Sequence, residues 1–264
     1  MKSAWVFTKN EEDGGGEPVR QAEAALRAFG IECVRPGGDR APDIMITVGG
    51  DGTLLRGVGA ACRMGIPILG INAGNVGFLT GIEKDELHLL ERLKTREYRI
   101  DERMMLALRL EKDGQSELAA CALNEISLTR GVSAKAVMLH IEIDGREYPF
   151  PPADGLIIAT PTGSTGYSLS AGGPLLHPQL RCMALTPVNA YAKRAQPLVL
   201  PASAVVTVRA KKTSERPVYI CADGDGEIPL ADGVAARITE SESAAAICRV
   251  KDRGFIETLC DKLG

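Results

Sequence analysis

The hydrophobic pattern changes period near residue 100, and that change dictates a chain of two different folds. Before it, strand and helix signals alternate. AWVFT at 4–8 reads as a strand, and 17–30 places Val19, Ala22, Leu26 and Phe29 at helical spacing with Gly30 as the stop. IMITV at 44–48 is a continuous apolar run ending at Gly49-Gly50, the pattern of a buried parallel strand. A helix over 53–64 carries Leu54, Leu55, Val58 and Cys62 on one face and stops at Gly65; IPILGIN at 66–72 is a further buried strand. A third helix over 84–95 aligns Leu87, Leu90 and Leu93. Such alternation predicts an α/β layer on a parallel sheet. After residue 100, short β-rich runs follow one another at 103–110, 120–130, 136–144, 155–160, 182–188, 204–210, 217–221 and 234–250, some separated by Asp-Gly turns. They predict an all-β, sandwich-like domain. Phe255 to Leu263 reads as a helix too short to stand alone, expected to return to the first domain. The expected division is 1–100 with 251–264, and 101–250.

Bulk properties exclude several functions. The net charge is −3, so there is no basic surplus for nucleic acid. No apolar run approaches the roughly 20 residues of a membrane span. The N-terminal apolar patch, Ala4 to Phe7, is far short of a signal segment, which points to a cytoplasmic protein. The seven cysteines are odd in number and form no CxxC pair, so a disulfide framework or structural zinc is not expected. His88, His140 and His177 are too scattered for a local metal site. Glycine is in surplus, with 29 residues, and it is clustered. Clustered glycine marks tight turns or backbone that approaches a ligand closely.

Four segments carry candidate chemistry. Gly49-Gly50-Asp51-Gly52-Thr53 joins a buried strand to a helix, the place where open α/β sheets bind ligands. Glycines there let a phosphate meet N–H groups at a helix start. A carboxylate among those amides repels phosphate. It fits if it accepts a proton from a hydroxyl or faces a divalent metal between phosphates. The spelling is neither GxGxxG nor a Walker A loop. The plainer reading is a turn whose aspartate caps the helix.

The second segment runs from Asp154 to Pro174: a strand, then a loop of hydroxyls and glycines, then a short helix starting near Thr165. Its neutral donors and acceptors suit ribose and amide recognition, and Tyr167 offers a stacking face. Read blandly, it is an irregular crossover, though loops this long are usually functional. Third, Asn124-Glu125 interrupts an apolar strand; alone, the pair reads as a solvent-facing Glu with a turn-adjacent Asn. Fourth, Asp223-Gly224-Asp225-Gly226 reads alone as a hairpin turn.

Taken together, GGDGT, NAGNVGFLT at 72–80, LNE at 123–125 and DGLIIATPTGSTGYSLSAGGPLLHP at 154–178 resemble the NAD kinase family in order and spacing. GGDGT alone is shared with diacylglycerol, sphingosine and phosphofructokinase-type kinases. The long segment is the specific one. The resemblance implies transfer of the ATP γ-phosphoryl group, or that of another donor, to the 2′-hydroxyl of the adenosine ribose of NAD. It also implies Mg²⁺ or another divalent metal, and a homodimer or homotetramer. By motif, Asp51 would be the proton acceptor or metal-facing carboxylate, with Gly52 and Arg56 beside the dinucleotide. Asn124 and Glu125 would hold the ribose or nicotinamide end, and Asp154 would contact the nucleotide. Thr165, Gly166, Tyr167, Ser168, Leu169 and Ser170 would line the adenine and ribose pocket, with Asn189 and Asp225 as further contacts.

The chain departs from the family pattern in three places. Gly166 stands where the family usually has Ala. Pro151-Pro152 precedes Asp154 where a basic or small polar residue is common. The segment after Leu185, TPVNAYAKRAQPLVL, lacks the Pro-His-Ser-Leu run. Two other functions are compatible with parts of the pattern: a lipid or other small-molecule kinase sharing GGDGT, and a non-catalytic dinucleotide-binding regulator.

Overall fold

A computed structural model describes residues 1–9, 16–38, 40–74, 77–132, 135–191, 195–211 and 215–263. In chain order these form β1 (Ser3–Phe7), α1 (Gly16–Ala28), β2 (Glu32–Cys33), β3 (Ile44–Gly49), α2 (Asp51–Met64), β4 (Ile68–Asn72), β5 (Ile82–Glu83), α3 (Glu91–Thr95) and β6 (Arg99–Arg103). There follow β7 (Leu106–Lys112), β8 (Gln115–Ala122), β9 (Glu125–Arg130), β10 (Leu139–Ile143), β11 (Arg146–Tyr148), β12 (Gly155–Ala159), α4 (Tyr167–Ser170) and β13 (Cys182–Val188). The chain closes with β14 (Leu198–Pro201), β15 (Val206–Ala210), β16 (Val218–Ala222), β17 (Asp225–Pro229), β18 (Ala235–Glu240), β19 (Ala245–Arg249) and α5 (Phe255–Leu263). Two compact units result: 1–103 with 244–264, and 104–243.

The first unit is an α/β layer. Its sheet runs β2-β1-β3-β4-β19-β6, with β5 on β4. β1, β3 and β4 are parallel, and the core strand β3 is buried on both faces, as its unbroken apolar run requires. α1 buries Val19, Ala22 and Leu26, the expected stripe. α2 begins at Asp51, two residues earlier than the periodicity predicts, and ends at Gly65 in the left-handed conformation (φ 64°). Its buried face is Leu54, Val58 and Ala61, with Gly57; Leu55 and Cys62 are only partly covered. The third predicted helix is a short 3-10 turn over Leu87–Leu90 followed by α3, burying Leu90 and Leu93.

The second unit is a sandwich of two antiparallel six-stranded sheets, β11-β10-β15-β18-β7-β8 and β14-β13-β12-β9-β16-β17. Alternate residues of the strands fill one core: Leu106 and Leu108, Ile126 and Leu128, Leu156 and Ile158, Val206 and Val208, Val218 and Ile220.

Two predicted runs straddle the division. Residues 103–110 contain the end of β6 and most of β7, which lie in different sheets. The run 234–250, assigned by period to the β domain, splits into β18 in the sandwich and β19 in the first sheet. There β19 pairs in parallel with β4 (Ile247 opposite Ile68) and antiparallel with β6. The expected end of the β domain at 250 therefore falls one strand late. Alternating apolar residues state that a segment is a strand, and they do not state which sheet will accept it.

Candidate functional site

In the first unit the site is built around Asp51. β3 ends at Gly49 (φ 154°), Gly50 takes the position before the first helical residue, and Asp51 opens α2. The carboxylate does not cap its own helix. Oδ2 accepts the N–H of Phe78 (2.7 Å), and Oδ1 accepts those of Leu79 (2.9 Å) and Thr80 (3.3 Å). This closeness needs glycine at 77, because a Cβ there would stand 2.4 Å from Asp51 Oδ1. A carboxylate offers about four lone-pair sites, so three bonds leave one on Oδ2. Gly52 and Arg56 lie one helical turn apart, both exposed. Asn72 is buried; its Nδ2 donates to Glu83 Oε2 (2.8 Å) and its Oδ1 accepts the Gly74 N–H (3.2 Å). Asn75 and Val76 of the NAGNVGFLT segment lie outside the described residues.

Arg249, at the end of β19, was not singled out by any motif. Its Nη1 donates to the carbonyl oxygens of Leu79 (3.0 Å) and Thr80 (3.4 Å), on the same loop that holds Asp51. Burial, with Arg103 nearby, pulls its pKa down to about 10.

In the second unit a cradle forms where β9 begins. Thr160, just past β12, donates its hydroxyl to Leu123 O (2.6 Å) and its N–H to Asn124 O (2.8 Å). The loop then turns so tightly against β9 that a Cβ on Gly163 would lie 2.1 Å from Asn124 O. Asn124 Oδ1 and Glu125 Oε2 are buried without a hydrogen-bond partner among the described residues. Two such acceptors side by side are costly unless a ligand supplies donors. Gly166 overlooks both: a Cβ there would sit 3.6 Å from Asn124 Nδ2 and from Glu125 Oε2. Burial pushes the Glu125 carboxyl up to about 7, and the neighbouring Asp223 carboxylate adds to the rise.

Asp223, with no signature in the sequence beyond its turn, faces this pair. It occupies the β16–β17 turn with Gly224, both at positive φ (52° and 73°), as a two-residue hairpin demands. Its carboxylate accepts the N–H groups of Leu123 (2.7 Å), Asn124 (2.7 Å) and Glu125 (3.1 Å). Burial outweighs these donors and raises its pKa. Asp225 follows on β17, exposed, and does not join the group. In a run spelled Asp-Gly-Asp-Gly, only the register of the turn decides which carboxylate faces inward.

The hydroxyl loop divides by role. Ser168 is buried and shares a hydrogen bond with Thr186 Oγ1 (2.9 Å), and Ser164 Oγ is spent on Pro161 O and the Leu176 N–H. Thr165 donates to Thr162 O (3.3 Å). Tyr167 and Ser170 are exposed, and Gly166 and Leu169 are half-covered. Asp154 and Asn189, far apart in sequence, do meet: Asn189 Nδ2 donates to Asp154 Oδ2 (3.1 Å) and Arg130 Nε to Oδ1 (2.9 Å). They sit at the opposite end of the β9–β12 pair from Asn124 and Glu125, at least about 14 Å away along the strands. The predicted contacts of this unit thus form two clusters.

Among the described residues no three His, Cys, Asp or Glu side chains converge to hold a metal.

Comparison with known proteins agrees with this architecture. The family model for the ATP-NAD kinase N-terminal domain matches residues 10–98, and that for the ATP-NAD kinase C-terminal domain matches 123–250. The NAD kinase of Moorella thermoacetica is 41% identical over 83% of this chain and 70% of its own length. That of Citrifermentans bemidjiense is 35% identical over 84% of this chain and 77% of its own. Two solved structures superpose along the whole chain. Yeast NADH kinase complexed with NADH has a TM-score of 0.83 at 24% identity and is covered over 88% of its length, a likeness of fold. An NAD kinase from Archaeoglobus fulgidus in complex with ATP has a TM-score of 0.74 at 28% identity, covered over 98%. The two matched models span both units, and with relatives of this identity the chain belongs to the ATP-NAD kinase family.

Proposed function

We propose that this NAD kinase transfers the γ-phosphoryl group of ATP to the 2′-hydroxyl of the adenosine ribose of NAD, giving NADP and ADP. The observation that carries the reading is the pair of buried acceptors, Asn124 Oδ1 and Glu125 Oε2, left without donors among the described residues. A ribose diol or a carboxamide NH₂ supplies the two donors they lack. In this reading Gly52 and Arg56 lie beside the dinucleotide, and the 160–170 loop with Asn124-Glu125 recognises its ribose and amide groups.

Asp51 acts at Oδ2, which keeps one lone pair while amides of 78–80 fix the carboxylate. The 2′-oxygen forms the new bond to phosphorus, the bond to the β-phosphate oxygen breaks, and the hydroxyl proton passes to Asp51 Oδ2. Phosphoryl transfer is mostly positioning and charge neutralisation, so few catalytic side chains are needed. Magnesium enters as part of the MgATP substrate. It travels on the phosphates and keeps most of its waters, so it needs no dedicated cage of protein carboxylates.

Purified protein with NAD, ATP and Mg²⁺, coupled to an NADP-specific dehydrogenase, should produce NADPH. No turnover with retained NAD binding would leave a dinucleotide-binding regulator, and no NAD binding a kinase of another substrate. Polyphosphate in place of ATP tests the donor.

The chain works as a homodimer or homotetramer in the cytoplasm in this reading. Among the described residues no helix is long and apolar enough to cross a membrane. Light scattering of the eluted protein measures the assembly.

A further inference from the structure

We infer that Arg249 is a positioning residue for the phosphoryl transfer, acting on Asp51 through the peptide group that joins Leu79 to Thr80. The inference rests on the reading of Asp51 as the proton acceptor. The carbonyl of Leu79 and the N–H of Thr80 are two ends of one planar unit. Arg249 Nη1 donates to the carbonyl end at 3.0 Å, and the N–H end donates to Asp51 Oδ1 at 3.3 Å. A cation at the oxygen and a carboxylate at the N–H both align the peptide dipole the same way, and each polarises the unit in favour of the other. The second contact of Nη1, to Thr80 O at 3.4 Å, holds the next peptide as well.

The arrangement is built to be stiff. Leu79 is buried, so its carbonyl has no ready exchange of Arg249 for water. The guanidinium is mostly covered, with Asp101 Oδ2 3.9 Å from its Nε and Asp101 in turn bridged to Arg103; Arg99 adds a further positive charge nearby. The loop beyond is tied back by the Gly81 N–H to Gly70 O (2.8 Å). Without Arg249, the 79–80 peptide is free to rotate and withdraw a donor from Asp51. The carboxylate would then lose its fixed direction, and misplacement of a reacting group by about 1 Å costs on the order of 100-fold in rate.

The test compares Arg249→Met, Arg249→Lys and Asp51→Asn by steady-state kinetics and by hydrogen exchange of the 78–80 amides. The lysine ammonium stands one bond short of the Nη1 position and restores part of the contact. Arg249→Met should lower kcat by about 10- to 100-fold with KM for NAD and ATP within about threefold. Its 78–80 amides should exchange at least about tenfold faster, and Arg249→Lys should fall between it and the parent in both measures. Arg249→Lys added to Asp51→Asn should be no slower than Asp51→Asn alone, because the two act as one unit. Unchanged kcat in Arg249→Met overturns the inference, as does a loss confined to one KM or a fully additive double variant. Should the methionine variant not fold, the lysine variant decides: normal kcat with faster amide exchange overturns the inference. Near-normal activity of Asp51→Asn would remove the Asp51 reading instead; low activity there beside normal Arg249 variants removes this inference alone.

Discussion

At single residues, the carboxylates of this chain differ by what their oxygens already hold. Asp51 has three backbone donors, while Glu125 keeps a buried oxygen with none among the described residues. Asp51→Asn should keep the fold and lose most of the turnover in the coupled assay, at least about 100-fold if it serves as the base. Glu125 titrates near 7 in the folded chain, above its ordinary value of 4.5. The folded state therefore binds its proton more tightly. Its contribution to stability is present below about pH 4.5 and is lost as pH rises through about 7. Glu125→Gln should be more stable than the parent at pH 8, by up to about 3 kcal/mol, and the difference should shrink towards pH 5. Thermal midpoints at both values measure it; an equal difference at both would remove burial of this carboxylate as the cause. At this scale the sequence was partly readable. Asp51 announced itself because glycines flank it between strand and helix. Arg249 did not, because an arginine closing an ordinary strand has no local signature, and its partners lie 169 and 170 residues away.

Among the elements, the strand-to-helix loop over 160–170 is shaped by how near it runs to β9. Gly163→Ala would drive a Cβ to 2.1 Å from the Asn124 carbonyl, against backbone that has nowhere to move. It should cost about 2 kcal/mol or more and lower NAD affinity, read by thermal shift and by KM. Gly166→Ala places its Cβ no closer than 3.4 Å to any neighbour. It should fold normally, with stability within about 1 kcal/mol of the parent and a stiffer loop. Asp223→Asn removes charge from three N–H···carboxylate bonds at the start of β9 and should raise KM for NAD through Asn124 and Glu125, while Asp225→Asn should not. Strands and helices were legible where burial matched period, as in β3, β12 and β13. They were less so for β8, β11 and β17, whose residues are mostly exposed and lack a hydrophobic alternation. The inward placement of Asp223 beside an exposed Asp225 has the same origin, since a hairpin turn fixes its register by backbone angle and leaves little mark in composition.

For the molecule as a whole, one unit is continuous in sequence and the other is not. Residues 104–243 hold a complete sandwich core, so that fragment should fold alone, with dispersed amide resonances and a cooperative melt. The complementary truncation, 1–243, should keep that melt and lose the transition of the first unit, because β4 and β6 no longer have β19 between them. The two-part plan was visible in the shift of period near residue 100. The return of β19 was not, because long-range pairing is chosen by the sheet that has a vacancy and not by the strand's own residues.

That return also sets a clock on biosynthesis. The ribosome releases β1 through β6 first, then must make all of 104–243 before β19 emerges. At 5–20 residues per second the wait is on the order of 10 s. During it the flank of β4 that β19 will occupy is bare, an unpaired edge beside apolar Ile68, Leu69 and Ile71. The β sandwich matures during translation, while the half that carries Asp51 stays incomplete until β19 has been made. Arg249 arrives with the same strand, so the carboxylate of Asp51 takes up its fixed direction only once β19 is in place.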